Sequence, residues 1–117
     1  MTSSNPQLRR TAVMLERAGK ENKVSIWRVA SQMLTRPTST RVEVNLGRIS
    51  RIAGDGGALF VPGKVLGFGL LEKKVMIGAF AFSAAARRKI AEKGGSAMSV
   101  EQFLKKYPKG SGVTLVE

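Results

Sequence analysis

The feature that most constrains the fold is a change of character near residue 54. Before it, apolar residues recur at the spacing of one helix face in three separate runs. After it, glycine and proline cluster within residues 54–69, 94–95 and 108–112, which predicts turns between short strands and short helices. The 117 residues therefore predict one α/β domain. Its mainly helical N-terminal part (residues 1–54) is followed by a compact core of short strands alternating with two helices (residues 55–117).

Local signals set the expected ends of the helices. Asn5 is a typical N-cap before Pro6, and Gly19 is the expected end of the first helix. Ser83 is a second N-cap, and Ser99 with Gln102 fits a capping box. The expected elements are helices over residues 6–19, 25–36 and 45–53, strands over 58–61, 64–66, 75–82 and 113–116, and helices over 84–93 and 99–106.

The charge of the chain points to a polyanionic partner. Twenty Lys and Arg face eight Asp and Glu, which gives a net charge of +12. The excess is positive in both parts, so the chain is not a neutral domain with a basic tail. A surplus of this size resists compaction until a polyanion neutralises it. Nucleic acid is the leading candidate, followed by an anionic membrane and by acidic proteins.

Several chemistries are disfavoured by composition. Without Cys or His, the chain has no thiolate nucleophile, no zinc knuckle and no histidine base. The glycine-rich residues 63–69 do not match a phosphate loop or a dinucleotide fingerprint, and we interpret them as tight turns. Four of the eight acidic residues directly adjoin Lys or Arg, which indicates charge compensation. We therefore expect no enzyme, metal, cofactor or small-molecule substrate. Residues 1–6 show no signal peptide, and residues 75–86 are too short to span a bilayer.

The aromatic residues do not form a stacking platform in the sequence. Four phenylalanines at apolar positions are expected in the core, and Trp27 and Tyr107 are compatible either with RNA contact or with packing. The four are Phe60, Phe80, Phe82 and Phe103.

Clusters of basic residues are the best candidates for phosphate contact. Arg48 and Arg51 are three residues apart and share a helix face, while Arg36 and Arg41 flank a bend at Pro37. These four arginines are the first candidates. Asn45 is either an N-cap or a contact to sugar or phosphate. The remaining candidates are Arg9, Arg10, Arg28, Lys64, Lys73, Lys74, Lys105, Lys106 and Lys109.

Residues 34–49, LTRPTSTRVEVNLGRI, resemble the signature of a ribosomal protein family. This is the archaeal and eukaryotic large-subunit family numbered eighteen with an "e" suffix, a relative of the bacterial large-subunit protein fifteen. Thr38 departs from the pattern, which has a basic residue after the proline. Further similar motifs, in the same order as in the family, are Asn5-Pro6, Ile26-Trp27-Arg28, VPGKVLGFG over residues 61–69, Phe82-Ser83, Gly94-Gly95 and Pro108-Lys109-Gly110-Ser111.

The resemblance implies a structural component of the archaeal-type large ribosomal subunit, without enzymatic activity or cofactor. It implies binding to large-subunit ribosomal RNA, neighbouring ribosomal proteins as further partners, and a cytoplasmic location in the large subunit. Neither a homo-oligomer nor a membrane partner is expected. The rival interpretations are a DNA-coating chromatin protein, a small RNA-acting enzyme and a membrane-surface protein.

Overall fold

The computed structural model describes residues 5–117, except for the side chain of Thr38. Residues 1–4, which belong to the stretch searched for a signal peptide, and the Thr38 side chain lie outside this part. The elements are helices α1 (Pro6–Asn22) and α2 (Ile26–Leu34), a 3₁₀ turn (Thr38–Thr40), β1 (Val42–Asn45), α3 (Leu46–Ile52), β2 (Gly57–Leu66), β3 (Val75–Phe82), α4 (Ala84–Glu92), β4 (Ser96–Met98), α5 (Val100–Lys106) and β5 (Val113–Leu115). This order confirms the α/β class, with N-terminal helices before a compact core. No helix within residues 5–117 combines the length and the apolar character needed to cross a membrane.

The five strands within residues 5–117 form one sheet in which every described pairing is parallel. The order is β1-β2-β3-β4, and β5 pairs with β2 at Ala58–Phe60, ahead of the segment that pairs with β1. The expected break between strands 58–61 and 64–66 is wrong, because Pro62 and Gly63 form a bulge inside one continuous strand. A proline, which has no N–H to donate, is tolerated at such a bulge. Gly63 is needed there, since a Cβ would lie 2.0 Å from the Val42 carbonyl oxygen.

Alternate residues of the sheet point into two apolar layers. Leu59, Val61 and Ile77 belong to the layer that α3 and α4 cover. Phe60 belongs to the opposite layer, against α1, α2 and α5. This alternation follows from the two-residue period of a strand. Both faces of the sheet are therefore covered by helices, as is usual for parallel sheets.

An aromatic cluster joins the N-terminal helices to the sheet. Trp27 is fully buried and meets Phe60 edge-on, with 5.3 Å between ring centroids, and Phe103 at 6.2 Å. Its indole N–H donates to the Pro108 carbonyl oxygen at 2.8 Å. Of the two interpretations left open for Trp27, packing is therefore confirmed and RNA contact is wrong. Tyr107 is half-buried, with its ring 4.7 Å from that of Phe103. Of the four phenylalanines expected in the core, Phe60 and Phe103 are fully buried, whereas Phe80 and Phe82 are half-buried.

The capping signals of the sequence are confirmed. The Asn5 side chain accepts from the backbone N–H groups of Gln7 and Leu8. The Ser83 side chain accepts from Ala86 N–H at the start of α4. Ser99 and Gln102 form the reciprocal bonds of a capping box at the start of α5. Residue types with short polar side chains thus fix three of the helix starts.

Other expected boundaries are wrong. The first helix continues through Gly19 and ends at Asn22, and its C-cap residue Lys23 takes the left-handed conformation with φ of 55°. Gly19 is buried in the helix because the Arg28 side chain packs on it: a Cβ would lie 2.8 Å from Arg28 Cγ. The second helix ends at Leu34, two residues before its expected end. Strands β1 and β4 were not expected, since both are short and pair only with distant residues.

Candidate nucleic-acid interface

The carboxyl ends of β1, β2 and β3 lie at one edge of the sheet because these strands are parallel. Helix α3 begins directly after β1, and α4 begins one residue after β3. Between them, residues 67–69 follow β2 and cross the start of α3, where Gly47 N–H donates to the Phe68 carbonyl oxygen at 3.0 Å. Open α/β sheets bind ligands at this edge. The first candidates of the sequence lie on α3 and on the segment that leads into β1.

Two of these arginines, Arg36 and Arg48, meet at Glu117, and Arg41 is tied to Arg36. Arg36 Nη1 forms an ion pair with the Glu117 carboxylate at 3.0 Å, and both side chains are exposed, at 37% and 60%. Arg48 Nε donates to the Glu117 backbone oxygen at 3.2 Å. Arg41 Nε donates to the Arg36 carbonyl oxygen at 3.3 Å. These contacts orient the guanidinium groups while leaving Arg36 and Arg48 in contact with solvent.

Arg51 lies one turn along α3 from Arg48 and is exposed. Its Nη1 atom and the Phe68 carbonyl oxygen are each 3.8 Å from the position that a Cβ on Gly47 would take. The guanidinium of Arg51 therefore borders the loop after β2. We call the surface formed by Arg36, Arg41, Arg48 and Arg51 the α3 surface. Asn45 is the N-cap residue of α3, but its exposed side chain makes no capping hydrogen bond.

The candidate lysines near the sheet differ in whether their side chains form hydrogen bonds within the protein. Lys73 Nζ donates to the Ala53 carbonyl oxygen at 2.5 Å and so caps the C-terminus of α3. Lys74 is fixed through its backbone N–H, which donates to Asp55 Oδ1, while its side chain is exposed. Lys64 is exposed on β2, with Glu43 of β1 in register beside it.

A second basic region lies along a groove between α1 and α5. The groove has a volume of about 880 Å³ and contains three candidates of the sequence, Arg9, Arg10 and Lys105, together with Arg17. We call it the α1–α5 groove. It also has apolar residues and two acids, namely Val13, Met14, Leu104, Glu21 and Glu101.

The remaining candidates stand apart from both regions. Arg28 is exposed, but its aliphatic stem packs on α1. Lys106 Nζ lies 5.9 Å from the centroid of the Tyr107 ring, and Lys109 is exposed after Pro108. The structure therefore divides the predicted candidates between the α3 surface, the α1–α5 groove and separate positions.

Sequence reasoning missed Phe68, which is 78% exposed on the loop beside Arg51. It also left Lys89 out of the candidates, although Lys89 Nζ holds this loop by donating to the carbonyl oxygens of Gly67 and Gly69. One signal was available for Phe68. It stands between two glycines and belongs to no periodic apolar run, so no element of the sequence calls for its burial.

The arrangement suits the binding of anions by oriented guanidinium and ammonium groups. Within residues 5–117, no three residues among His, Cys, Asp and Glu come together in a way that could hold a metal ion. The fold and this surface define the class: a small basic α/β domain with its first candidate arginines gathered beside the sheet.

The particular family follows from comparison with known proteins. Residues 26–98 match the family described as ribosomal proteins 50S-L15, 50S-L18e and 60S-L27a. The chain is 42% identical over 113 residues to large ribosomal subunit protein eL18 of Pyrobaculum aerophilum, covering 97% of this chain and 93% of that protein. The eL18 protein of Methanoregula boonei is equally similar, with the same coverage. That of Archaeoglobus fulgidus is 39% identical over 116 residues, 99% of each chain. The chain belongs to this family of ribosomal proteins, as the resemblance at residues 34–49 indicated.

Proposed function

We propose that this protein is a structural component of the large ribosomal subunit that binds and stabilises large-subunit ribosomal RNA. The observation that carries the proposal is the α3 surface, where four arginines gather in a chain whose relatives are named large ribosomal subunit proteins. Its role is to hold RNA segments together and not to catalyse a reaction. Its location is the large subunit of the cytoplasmic ribosome.

The arginines act by neutralising phosphates that are crowded where RNA helices meet. A guanidinium group offers a planar fork of donors that matches the oxygens of a phosphate. Arg41 and Arg48 are already held by backbone oxygens, so less side-chain freedom is lost when they bind. Duplex RNA presents its shape, phosphates and 2′-hydroxyls, so recognition depends on the fit of the surface as a whole.

Further contacts surround this surface. Asn45, whose side chain is exposed and makes no capping bond, hydrogen-bonds to sugar or phosphate. Exposed Lys64 and Lys74 extend the basic surface along the sheet. The weaker outlying contacts come from Arg9, Arg10, Arg28, Lys73, Lys105, Lys106 and Lys109. The protein acts as a single copy, with neighbouring large-subunit proteins as further partners.

A salt titration tests the proposal. The protein is titrated with protein-free large-subunit ribosomal RNA, and in parallel with duplex DNA of random sequence, at several salt concentrations. If about six phosphates are neutralised, the affinity for RNA falls at least a thousandfold between about 50 and 200 mM salt. A flat salt response contradicts the proposal. Equal affinity for DNA and RNA indicates a DNA-coating protein instead.

A further inference from the structure

The loop after β2 exposes two large apolar side chains next to a basic surface. Phe68 is 78% exposed and Leu70 is 76% exposed. Within residues 5–117, the other exposed large apolar residues, Val13, Val29 and Ile52, are only 42% to 51% exposed. Leaving a phenylalanine ring in water forgoes about 2 kcal/mol of burial free energy, so this exposure needs a reason outside the isolated chain.

The exposure of Phe68 is not the result of a loose loop. All three carbonyl groups of residues 67–69 accept hydrogen bonds: Lys89 Nζ donates to Gly67 O at 2.6 Å and to Gly69 O at 3.1 Å, and Gly47 N–H donates to Phe68 O. Both glycines are also tightly packed. A Cβ on Gly67 would lie 2.6 Å from the Ala85 Cβ, and one on Gly69 would lie 2.8 Å from the Gly47 Cα.

The glycines also determine how the ring is presented. Gly69 has φ of 91°, a conformation that favours glycine and turns the chain sharply after Phe68. Because residues 67 and 69 have no side chains, neither chain neighbour covers the ring. A flat partner can therefore approach Phe68 closely.

The charges around the loop favour a polyanion as this partner. The guanidinium of Arg51 borders the loop, and Arg87 and Arg88 follow Ala85 and Ala86, on which Gly67 packs. The nearest acid along the chain is Glu72, whose backbone N–H is tied to Ser50 Oγ. The partner that fits this loop has a flat apolar face for Phe68 and phosphates for the neighbouring arginines. A nucleotide in a single-stranded or bulged RNA segment has both.

We propose that Phe68 stacks on an unpaired base of the ribosomal RNA, with Arg51 binding an adjacent phosphate. This inference rests on the proposed function and adds the kind of RNA element that the site takes. The duplex alone does not supply such a partner, because its bases are stacked on each other. The loop thus reads the position of a single unstacked nucleotide, while the arginines read the backbone.

The test compares variants of Phe68 in binding to protein-free large-subunit ribosomal RNA. Phe68→Leu keeps an apolar side chain but loses the aromatic face, and it should weaken binding about tenfold, within the range for loss of one base stack. The dependence of affinity on salt should stay unchanged, since no charge is removed. Phe68→Trp, which restores an aromatic face, should recover the affinity. Leu70→Ala is the matched control, because Leu70 is equally exposed on the same loop, and it should change binding less than about twofold.

The outcomes separate this inference from the proposed function. Failure of the unaltered protein to bind the RNA overturns the proposed function and the inference with it. Normal binding by Phe68→Leu overturns the inference alone. If that variant binds RNA normally but is lost from assembled subunits, Phe68 contacts a protein neighbour and stacking is wrong. A photoreactive benzophenone side chain at position 68 should crosslink to an unpaired nucleotide, and crosslinks confined to paired segments contradict stacking.

Discussion

The α3 surface and the α1–α5 groove carry comparable positive charge but are built differently. On the α3 surface, three of the four arginines donate to oxygens of the protein, and among residues 5–117 the one carboxylate that forms an ion pair there belongs to Glu117. In the groove, the arginines lie among the apolar residues Val13 and Met14, and Glu21 and Glu101 share the lining. The number of basic residues, which the sequence shows, does not distinguish the two regions. Their surroundings do.

The two regions differ in the side-chain entropy that is lost on binding and in the positive potential that a ligand meets. Oriented guanidinium groups lose less conformational entropy on binding than groups that are free in solvent. Acids in the lining of the groove offset part of its positive potential. We therefore expect the α3 surface to supply most of the phosphate contacts, and the groove to contribute a weaker and more diffuse attraction.

The largest expected effect comes from reversing two charges on the α3 surface. Arg48→Glu combined with Arg51→Glu should lower the affinity for large-subunit ribosomal RNA about a hundredfold or more, because two charge-assisted contacts are lost and two repulsions are added. Binding at fixed salt is the measurement. The thermal midpoint should change little, since both side chains are exposed.

The matched control reverses two charges in the groove. Arg9→Glu combined with Arg10→Glu changes the net charge equally, and both residues are exposed. We expect a loss of affinity of about tenfold or less. Equal losses for the two pairs would mean that net charge alone governs binding and that the structural difference between the regions has no consequence.

A smaller effect is expected from releasing the Phe68 loop. Lys89→Met removes both hydrogen bonds from Nζ to Gly67 and Gly69. We expect the free energy of unfolding in urea to fall by about 2 kcal/mol, and the affinity for RNA to fall three- to tenfold because Phe68 is no longer held. Lys93→Met, which removes an exposed lysine just after the same helix, should leave stability unchanged. An equally stable Lys89→Met protein would show that the loop does not depend on this clamp.

The smallest effect comes from removing the acid of the α3 surface. Glu117→Gln eliminates the ion pair between Glu117 and Arg36. Both side chains of this pair are exposed. Stability should fall by less than about 1 kcal/mol, and the affinity for RNA at low salt should rise about two- to threefold because a competing carboxylate is gone. Glu92→Gln changes the net charge by the same amount on exposed α4 surface. An equal rise in RNA affinity for Glu92→Gln would show that the effect comes from net charge and not from the release of Arg36.

Much of the fold could be predicted because its signals are local. Asn5, Ser83 and the Ser99–Gln102 pair start helices by bonding to the next turn, so a few residues carry the whole signal. Strands β1 and β4 could not be predicted in this way, since each has few residues and is held by a distant strand. The bulge at Pro62-Gly63 also depends on a distant neighbour, the Val42 carbonyl group.

The candidate site was predictable in its residue types but not in its grouping. Spacing alone placed Arg48 and Arg51 on one helix face, yet the meeting of Arg36 and Arg48 at Glu117 links residues far apart in the chain. Trp27 was left open between RNA contact and packing because it lies off the apolar stripe of its helix, and the fold buries it against Phe60 and Phe103. Whether an aromatic side chain is buried depends on what packs around it, and that is a property of the tertiary structure.

Sedimentation tests whether the α3 surface holds the protein in the large subunit. Large ribosomal subunits are isolated at high salt from cells that produce either the unaltered protein, the Arg48→Glu/Arg51→Glu variant or the Arg9→Glu/Arg10→Glu variant, each with a tag. We expect the unaltered protein and the groove variant to sediment with the large subunit, and the α3 variant to remain folded in the unbound fraction. Normal incorporation of the α3 variant would contradict the account.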